Sequence, residues 1–224
     1  MIYTYAADLR NLKDPKCYPD LLSDLSEHKA NEILKLRTLN DRIKALGIAL
    51  LFKEVLSRHN LFVDDIALDT ANTSVYKSIS PQECNPAHQK IYFCFSISNN
   101  MLICSFGMNE LGCNIQKMDD IPKTFSMQYF HRNERKYLES LNAKEVDREF
   151  YRIVTLKESY LKMAGESRQQ SLKNFEVLID EDVELYKDGH LEECWFEEYT
   201  IPGYRISVCS KDNDFSDIVF INVS

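Results

Sequence analysis

Two uncharged amide side chains lie on the same face of a predicted strand. The stretch GCNIQKM, residues 112–118, places Asn114 and Gln116 two positions apart. Side chains at that spacing on a strand point to the same side, so both amides line one surface. Amide oxygens coordinate hard cations such as Mg²⁺ but bring no formal charge. The alternative interpretation is a hydrogen-bonded strand that joins two halves of the protein.

A second candidate group lies on a predicted helix over residues 144–164, which contains Lys157, Glu158 and Lys162. Glu158 and Lys162 are four residues apart and therefore share one face of the helix. Taken alone, they predict an exposed ion pair that stabilises the protein by about 0.3–0.5 kcal/mol. A functional role needs support from the surrounding elements.

The hydrophobic pattern predicts the elements that position these groups. Residues 34–59 are predicted as one long helix, and IYFCFSIS and NNMLICSF as two strands joined at Asn99 and Asn100. Residues 123–141 and 144–165 are predicted as two helices, the second ended by Gly165. Alternation from residue 175 onward predicts a meander of strands. Helices and hairpins thus occur twice along the chain, which indicates an α+β protein with two halves of similar size.

Composition excludes several classes of protein. A chain of 224 residues with 44% hydrophobic residues can bury a substantial core. A net charge of −8 argues against broad nucleic-acid binding. No apolar run is long enough for a membrane span and no signal peptide is recognised, so we expect a cytoplasmic protein. Seven cysteines without a C-x-x-C pair are expected to be mostly buried and reduced.

Several motifs resemble one known family. FYRIVTLKESYLKMAG, residues 150–165, resembles the helix signature F-Y-x-x-W-x-x-K-E-[SA]-[FY]-x-K of the surfactin-synthetase-type 4′-phosphopantetheinyl transferases, with Val154 at the tryptophan position. FSIS at 95–98 is similar to the family's F-N-I-S-H-S hairpin, and GCNIQKM to its G-[IV]-D-[IV]-E-K strand. QYFHRNE resembles R-F-F-x-x-x-E. The resemblance covers nearly the whole chain and is clearest over residues 91–212.

The resemblance implies a fold and an activity. The family fold is a pseudo-dimer of two similar α/β halves, here residues 1–108 and 109–224, with coenzyme A in the cleft between them. The reaction moves the 4′-phosphopantetheine arm of coenzyme A onto a serine of an acyl or peptidyl carrier protein, and it requires Mg²⁺. By the same analogy we expect a monomer.

Matching positions imply the following roles. Glu158 corresponds to the family's metal ligand and candidate general base, and Lys162 to a catalytic lysine near the diphosphate and the serine. The metal ligands would be Asn114, Gln116 and Glu158. The residues expected to contact coenzyme A are Lys44, Ser98, Asn99, Lys157 and Lys162.

The departures from the family pattern all fall in this site. Asn114 replaces an aspartate and Gln116 an acidic residue, so that of three acidic metal ligands only Glu158 remains. Asn99 replaces a histidine. Even changes in the residues around metal ligands lower affinity or activity by about 10–100-fold. Two functions therefore remain open: a transferase, with weak activity, or a catalytically impaired relative that binds coenzyme A or a carrier protein as a partner or regulator.

A basic stretch offers a surface for an acidic carrier protein. It comprises Lys123, His131, Arg132, Arg135 and Lys136 on the predicted helix that follows the amide strand. Opposite charges on two surfaces favour encounter and correct orientation. The alternative is a solvated helix face.

Overall fold

The computed structural model describes residues 1–61, 76–79, 91–119, 130–166 and 172–223. These residues form helices together with sheets whose strand pairs are all antiparallel except one, which confirms the predicted α+β class. Within these ranges, no helix is both long and apolar enough to cross a membrane. Four of the described cysteines, Cys94, Cys104, Cys113 and Cys209, are buried as expected, whereas Cys17 is exposed. Cys84 lies outside the described residues.

The helices differ from the prediction at one place. The structure has α1 (Glu27–Lys35), α2 (Leu39–Arg58), α3 (Arg132–Ser140) and α4 (Ala143–Met163). The prediction of one helix over 34–59 is wrong, because the chain turns extended at Leu36 and α2 begins anew after Thr38. The Thr38 side chain accepts a hydrogen bond from the backbone N–H of Asp41 at 3.0 Å, which caps the second helix. Of the helix predicted over 123–141, residues 123–129 lie outside the described part.

The first sheet has five strands. In chain order they are β1 (Ile2–Asp8), β2 (Tyr76–Ile79), β3 (Ile91–Ser98) and β4 (Met101–Gly107). The fifth strand comes from the end of the chain and is β11 (Phe215–Phe220). Their order across the sheet is β11-β1-β4-β3-β2, and β11 alone runs parallel to its neighbour. The hairpin predicted between β3 and β4 is confirmed, with Asn99 at a φ of 52° in its turn.

The described residues form two further sheets, of three strands each. One contains β5 (Leu111–Lys117), β9 (Trp195–Ile201) and β10 (Tyr204–Ser210), in the order β5-β10-β9. The other contains β6 (Phe175–Ile179), β7 (Val183–Lys187) and β8 (His190–Leu191). Tight turns join their strands: Asp188 and Gly189 have positive φ between β7 and β8, and Gly203 between β9 and β10.

The layers follow from which side chains are buried together. Helix α2 packs on one face of the first sheet, where Leu51 and Phe52 join Phe93 and Phe95 in one apolar cluster. The opposite face packs on the β5-β10-β9 sheet, and α4 covers the far side of that sheet. The order of layers is therefore α2, first sheet, β5-β10-β9 sheet, α4.

Strand β5 lies beside β3 and connects the two sheets. The backbone N–H groups of Cys113, Ile115 and Lys117 donate to the side chains of Cys94, Ser96 and Ser98 at 3.1, 3.2 and 2.9 Å. The donors and acceptors advance together along the two strands, so β3 and β5 run in the same direction. In an ordinary parallel sheet the acceptors would be backbone carbonyl groups, whereas here they are side chains of β3.

The two predicted halves share a sheet. Strand β11 belongs to residues 109–224, yet it pairs with β1 and so extends the sheet of the first half. Each half nonetheless has one long helix packed on a sheet, α2 in the first and α4 in the second. The pseudo-dimer of two similar halves stays a prediction.

Candidate active site

A glycine brings the helix with Glu158 onto the amide strand. A Cβ atom built on Gly112 would lie 2.2 Å from the carbonyl oxygen of Ser159 and 2.4 Å from the backbone nitrogen of Met163. Both atoms belong to the backbone of α4, so only glycine permits this approach. The close packing places Glu158 directly over the face of β5 that carries Asn114 and Gln116.

Both amides donate hydrogen bonds to the same carboxylate oxygen. Nδ2 of Asn114 lies 2.8 Å from Oε2 of Glu158, and Nε2 of Gln116 lies 3.4 Å from it. Asn114 is 3% exposed and Glu158 6% exposed. A buried carboxylate needs hydrogen-bond donors or a cation nearby, because water no longer solvates its charge. The two amides supply such donors.

The donor set also suits an oxygen-seeking cation. Oδ1 of Asn114 is buried and accepts no hydrogen bond within the described part of the chain. An unused amide oxygen next to a carboxylate fits the oxygen ligands that Mg²⁺ prefers. Among the described residues, no group of three His, Cys, Asp or Glu side chains is arranged to hold a metal. The residues present therefore fit the ion with fewer charges than a site built from acids.

Lys162 lies one helical turn after Glu158. Its ammonium group donates to the carbonyl oxygen of Cys113 at 2.7 Å and to that of Phe95 at 3.4 Å. These carbonyls belong to β5 and β3, so the lysine links α4 to both sheets. The predicted group of Asn114, Gln116, Glu158 and Lys162 is brought together.

The hairpin residues lie at the ends of the strands beside this group. Ser98 ends β3, and its hydroxyl accepts the backbone N–H of Lys117 at 2.9 Å. Asn99 follows in the turn and is exposed. Ser98 therefore already holds the end of β5, while Asn99 keeps its side chain available to solvent.

The ammonium group of Lys157 contacts residues other than the amides of β5. Its ammonium lies 2.6 Å from each carboxylate oxygen of Glu134 and 2.7 Å from the carbonyl oxygen of Phe175, and it is fully buried. Burial lowers the pKa of Lys157, and the Glu134 carboxylate partly offsets this effect. Its three N–H groups are occupied inside the protein. The structure thus gives Lys157 an internal ion pair in place of the predicted contact with coenzyme A.

Glu134 is a structural residue to which sequence reasoning assigned no role, although it is the last residue of QYFHRNE. Its carboxylate also accepts the backbone N–H of His131 at 2.9 Å and that of Val177 at 2.8 Å. It therefore joins the start of α3, the middle of α4 and the strand β6. The available signal was its position three residues after His131, where an acid completes a capping box.

Lys44 lies in a different layer from Glu158. It is half-buried on α2, which packs on the face of the first sheet that points away from β5. The buried cation of this region is Arg42, which binds both carboxylate oxygens of Asp14 at 2.8 and 2.6 Å. The structure does not bring Lys44 beside the amide strand.

The basic stretch is described from His131 onward, and Lys123 lies outside the described residues. His131 caps α3, whereas Arg132 and Lys136 are exposed on it. These two side chains are placed where a partner could meet them.

A family comparison matches the second half of the chain. The model of the 4′-phosphopantetheinyl transferase superfamily matches residues 110–209, which include the amide strand and the whole of α4. Asn114, Gln116, Glu158 and Lys162 thus lie within the matched residues, whereas Ser98 and Asn99 lie before them.

Several known proteins similar to this chain are named 4′-phosphopantetheinyl transferases. The chain is 31% identical to the 4′-phosphopantetheinyl transferase ffp of Bacillus subtilis over 62% of this chain and 64% of that protein. It is 26% identical to the 4′-phosphopantetheinyl transferase Sfp of Bacillus subtilis strain 168 over 90% and 89%. It is 26% identical to the 4′-phosphopantetheinyl transferase gsp of Aneurinibacillus migulanus over 60% and 56%. The chain therefore spans just under two thirds of the first relative and most of the second.

Proposed function

We propose that this chain transfers the 4′-phosphopantetheine arm of coenzyme A to a serine of an acyl or peptidyl carrier protein. The chain is a relative of the surfactin-synthetase-type 4′-phosphopantetheinyl transferases, as its motifs predicted. The observation that supports the proposal is the buried carboxylate of Glu158, held by Asn114 and Gln116 at the junction of α4 and β5. Lys162 provides a cation one helical turn away.

Glu158 is proposed as the general base. In the reaction, the serine oxygen attacks the phosphorus of the phosphopantetheine arm, and the bond from that phosphorus to the oxygen bridging to the nucleotide breaks. The hydroxyl proton passes to Glu158, and adenosine 3′,5′-bisphosphate leaves. Lys162 offers a positive charge to the phosphate oxygens as the bond breaks. Both side chains come from α4, which holds them in fixed register.

Mg²⁺ is proposed as the metal, held by Glu158 with the amide oxygens of Asn114 and Gln116. Such an ion supplies charge neutralisation for the diphosphate being cleaved. One carboxylate is enough for many Mg²⁺ sites when substrate phosphates provide further ligands. The small number of acids in this site supports weak activity.

Three further contacts of coenzyme A are proposed. Ser98 and Asn99 are proposed from their position at the hairpin beside the end of β5. Lys44 is proposed from the motif match alone, since it lies in a different layer from Glu158. Lys157 is not carried forward, because Glu134 and Phe175 occupy its ammonium group. The exposed side chains of Arg132 and Lys136 are proposed to meet the acidic carrier protein.

The test is the mass of a carrier protein. An apo carrier protein is incubated with coenzyme A, Mg²⁺ and this protein, and its intact mass is measured with and without Glu158→Gln. Transfer by the natural protein adds the mass of one phosphopantetheine arm, and the substitution slows this transfer by about 10²–10⁴-fold. No gain with several carrier proteins, while a known transferase modifies them, would contradict the proposal.

The second candidate is a binding protein without transferase activity. It is favoured by the pair of amides, because among the described residues no set of three acidic or metal-binding side chains surrounds Glu158. In that case coenzyme A or the carrier protein binds, as calorimetry would record, and no mass is added. Restoration of transfer by Asn114→Asp would identify the loss of the acid as the cause.

A further inference from the structure

Asn114 and Gln116, which we call the amide clamp, direct their N–H groups and not their oxygens toward the carboxylate of Glu158. A cation bound at this carboxylate would need the oxygens. Both donate an N–H group to Oε2 of Glu158, at 2.8 and 3.4 Å. An amide that donates toward a point cannot also offer its oxygen to a cation at that point. The carboxylate is therefore solvated by N–H dipoles in the arrangement seen here.

The position of Asn114 keeps this arrangement in place. The residue is 3% exposed, and its strand is fixed against α4 at Gly112 and against β3 through Ser96. Its Oδ1 accepts no hydrogen bond within the described part of the chain. Turning the amide to face a cation would break the bond to Glu158, so the ion must bring enough further interaction to replace that bond.

The small number of acidic side chains at the site also argues against binding of a divalent ion by the protein alone. Within the described ranges, no cluster of three His, Cys, Asp or Glu side chains is present to attract a divalent ion. A hard cation such as Mg²⁺ usually keeps one or two carboxylates and completes its shell with substrate phosphates and water. Glu158 alone supplies little affinity, and the diphosphate of coenzyme A would supply the rest.

We propose that the amide clamp stands in for a bound cation in the ligand-free protein, so that the divalent ion enters only together with the diphosphate of coenzyme A. This inference rests on the proposed function, since it concerns the metal of that reaction. It implies that the protein without coenzyme A does not hold the ion, and that the amides turn when the ion and the diphosphate bind together.

The test uses Mn²⁺ as a paramagnetic probe, with free Mn²⁺ measured by electron paramagnetic resonance. The natural protein alone is expected to leave the free Mn²⁺ signal unchanged, whereas natural protein with coenzyme A retains more Mn²⁺ than coenzyme A alone. Asn114→Asp replaces a donor by a second carboxylate and is expected to bind Mn²⁺ without coenzyme A at least about tenfold more tightly. Asn133→Asp, the same change on the exposed first turn of α3, is the matched control.

Gln116→Glu repeats the test at the half-buried member of the clamp, in case the buried aspartate prevents folding. The inference is overturned if the natural protein alone binds Mn²⁺ as tightly as either acidic variant. It is also overturned if coenzyme A does not increase retention. Failure of transfer to a carrier protein with the expected Mn²⁺ pattern intact would instead count against the proposed function alone.

Discussion

Lys157 and Glu158 are neighbours in the chain, yet they serve different parts of the fold. The ammonium of Lys157 lies 2.6 Å from the carboxylate of Glu134 on α3, whereas Glu158 accepts a hydrogen bond from the side-chain N–H of Asn114 on β5. Consecutive helical residues point about 100° apart, so one helix can contribute to two unlike sites. The first site is a buried ion pair, and the second is the candidate centre of catalysis.

Removing the buried ion pair is expected to destabilise the protein strongly. Lys157→Met leaves the carboxylate of Glu134 buried without its cation, at a cost of about 3–5 kcal/mol in the free energy of unfolding. Urea unfolding followed by circular dichroism measures the change. Lys144→Met, on the exposed first turn of the same helix, is the control and should change stability by less than about 0.5 kcal/mol. Equal effects of the two substitutions would contradict a structural role for the pair.

Gly112→Ala is expected to separate α4 from β5. The added methyl group overlaps backbone atoms of Ser159 and Met163, which cannot move aside as a side chain could. We expect a loss of about 3 kcal/mol or more in the free energy of unfolding. Gly189→Ala is the matched control, since a Cβ there meets nothing within 4 Å and only its positive φ opposes the change, at about 1 kcal/mol. A smaller loss at Gly112 than at Gly189 would refute the close packing.

Glu158→Gln tests the proposed base without a change of size. The amide cannot take the serine proton, so the rate of transfer is expected to fall by about 10²–10⁴-fold. The rate is followed by mass spectrometry of the carrier protein over time. Glu145→Gln, near the exposed start of α4, should leave the rate unchanged. A retained rate in Glu158→Gln would remove Glu158 from the mechanism.

The contact between Asp14 and Arg42 predicts a loss of stability in acid. Hydrogen bonding by Arg42 lowers the pKa of Asp14 to about 2 from its ordinary value of 3.8. Because the pKa is lower in the folded state, the folded protein binds fewer protons, and stability falls as the pH drops from 3.8 through about 2. Urea midpoints measured from pH 5 to pH 2 should fall less steeply in Asp14→Asn.

The control for this contact is Asp24→Asn, which removes an exposed ion pair with Lys53. Its urea midpoints should follow those of the natural protein over the whole pH range. The attribution to Asp14 fails if Asp14→Asn retains the full acid dependence.

Local pattern was enough to predict several elements of the fold. The hairpin at Asn99, the strand of the amides, the end of α4 at Gly165 and the meander after residue 175 all follow from alternation, helical spacing and turn residues. These signals lie within a few residues of the feature they predict. The break between α1 and α2 was missed, because the apolar pattern continues across Leu36, where α1 has ended, and Thr38, which caps the start of α2.

The side-chain partners were decided by the tertiary structure. Family motifs placed Asn114, Glu158 and Lys162 in one site, and the packing of α4 on β5 does bring them together. The motifs equally placed Lys157 there, but the direction of its side chain depends on Glu134, which comes from another helix.

The sequence by itself therefore determined which residues share a strand or a helix, since these relations span only a few positions. It also contained Gly112, whose missing side chain allows the close approach. Only the tertiary structure decided that the amides face Glu158 with their N–H groups and that β11 returns to β1. Both outcomes depend on which distant segments are buried against one another, because most buried polar groups must find a hydrogen-bond partner in the element that packs on them.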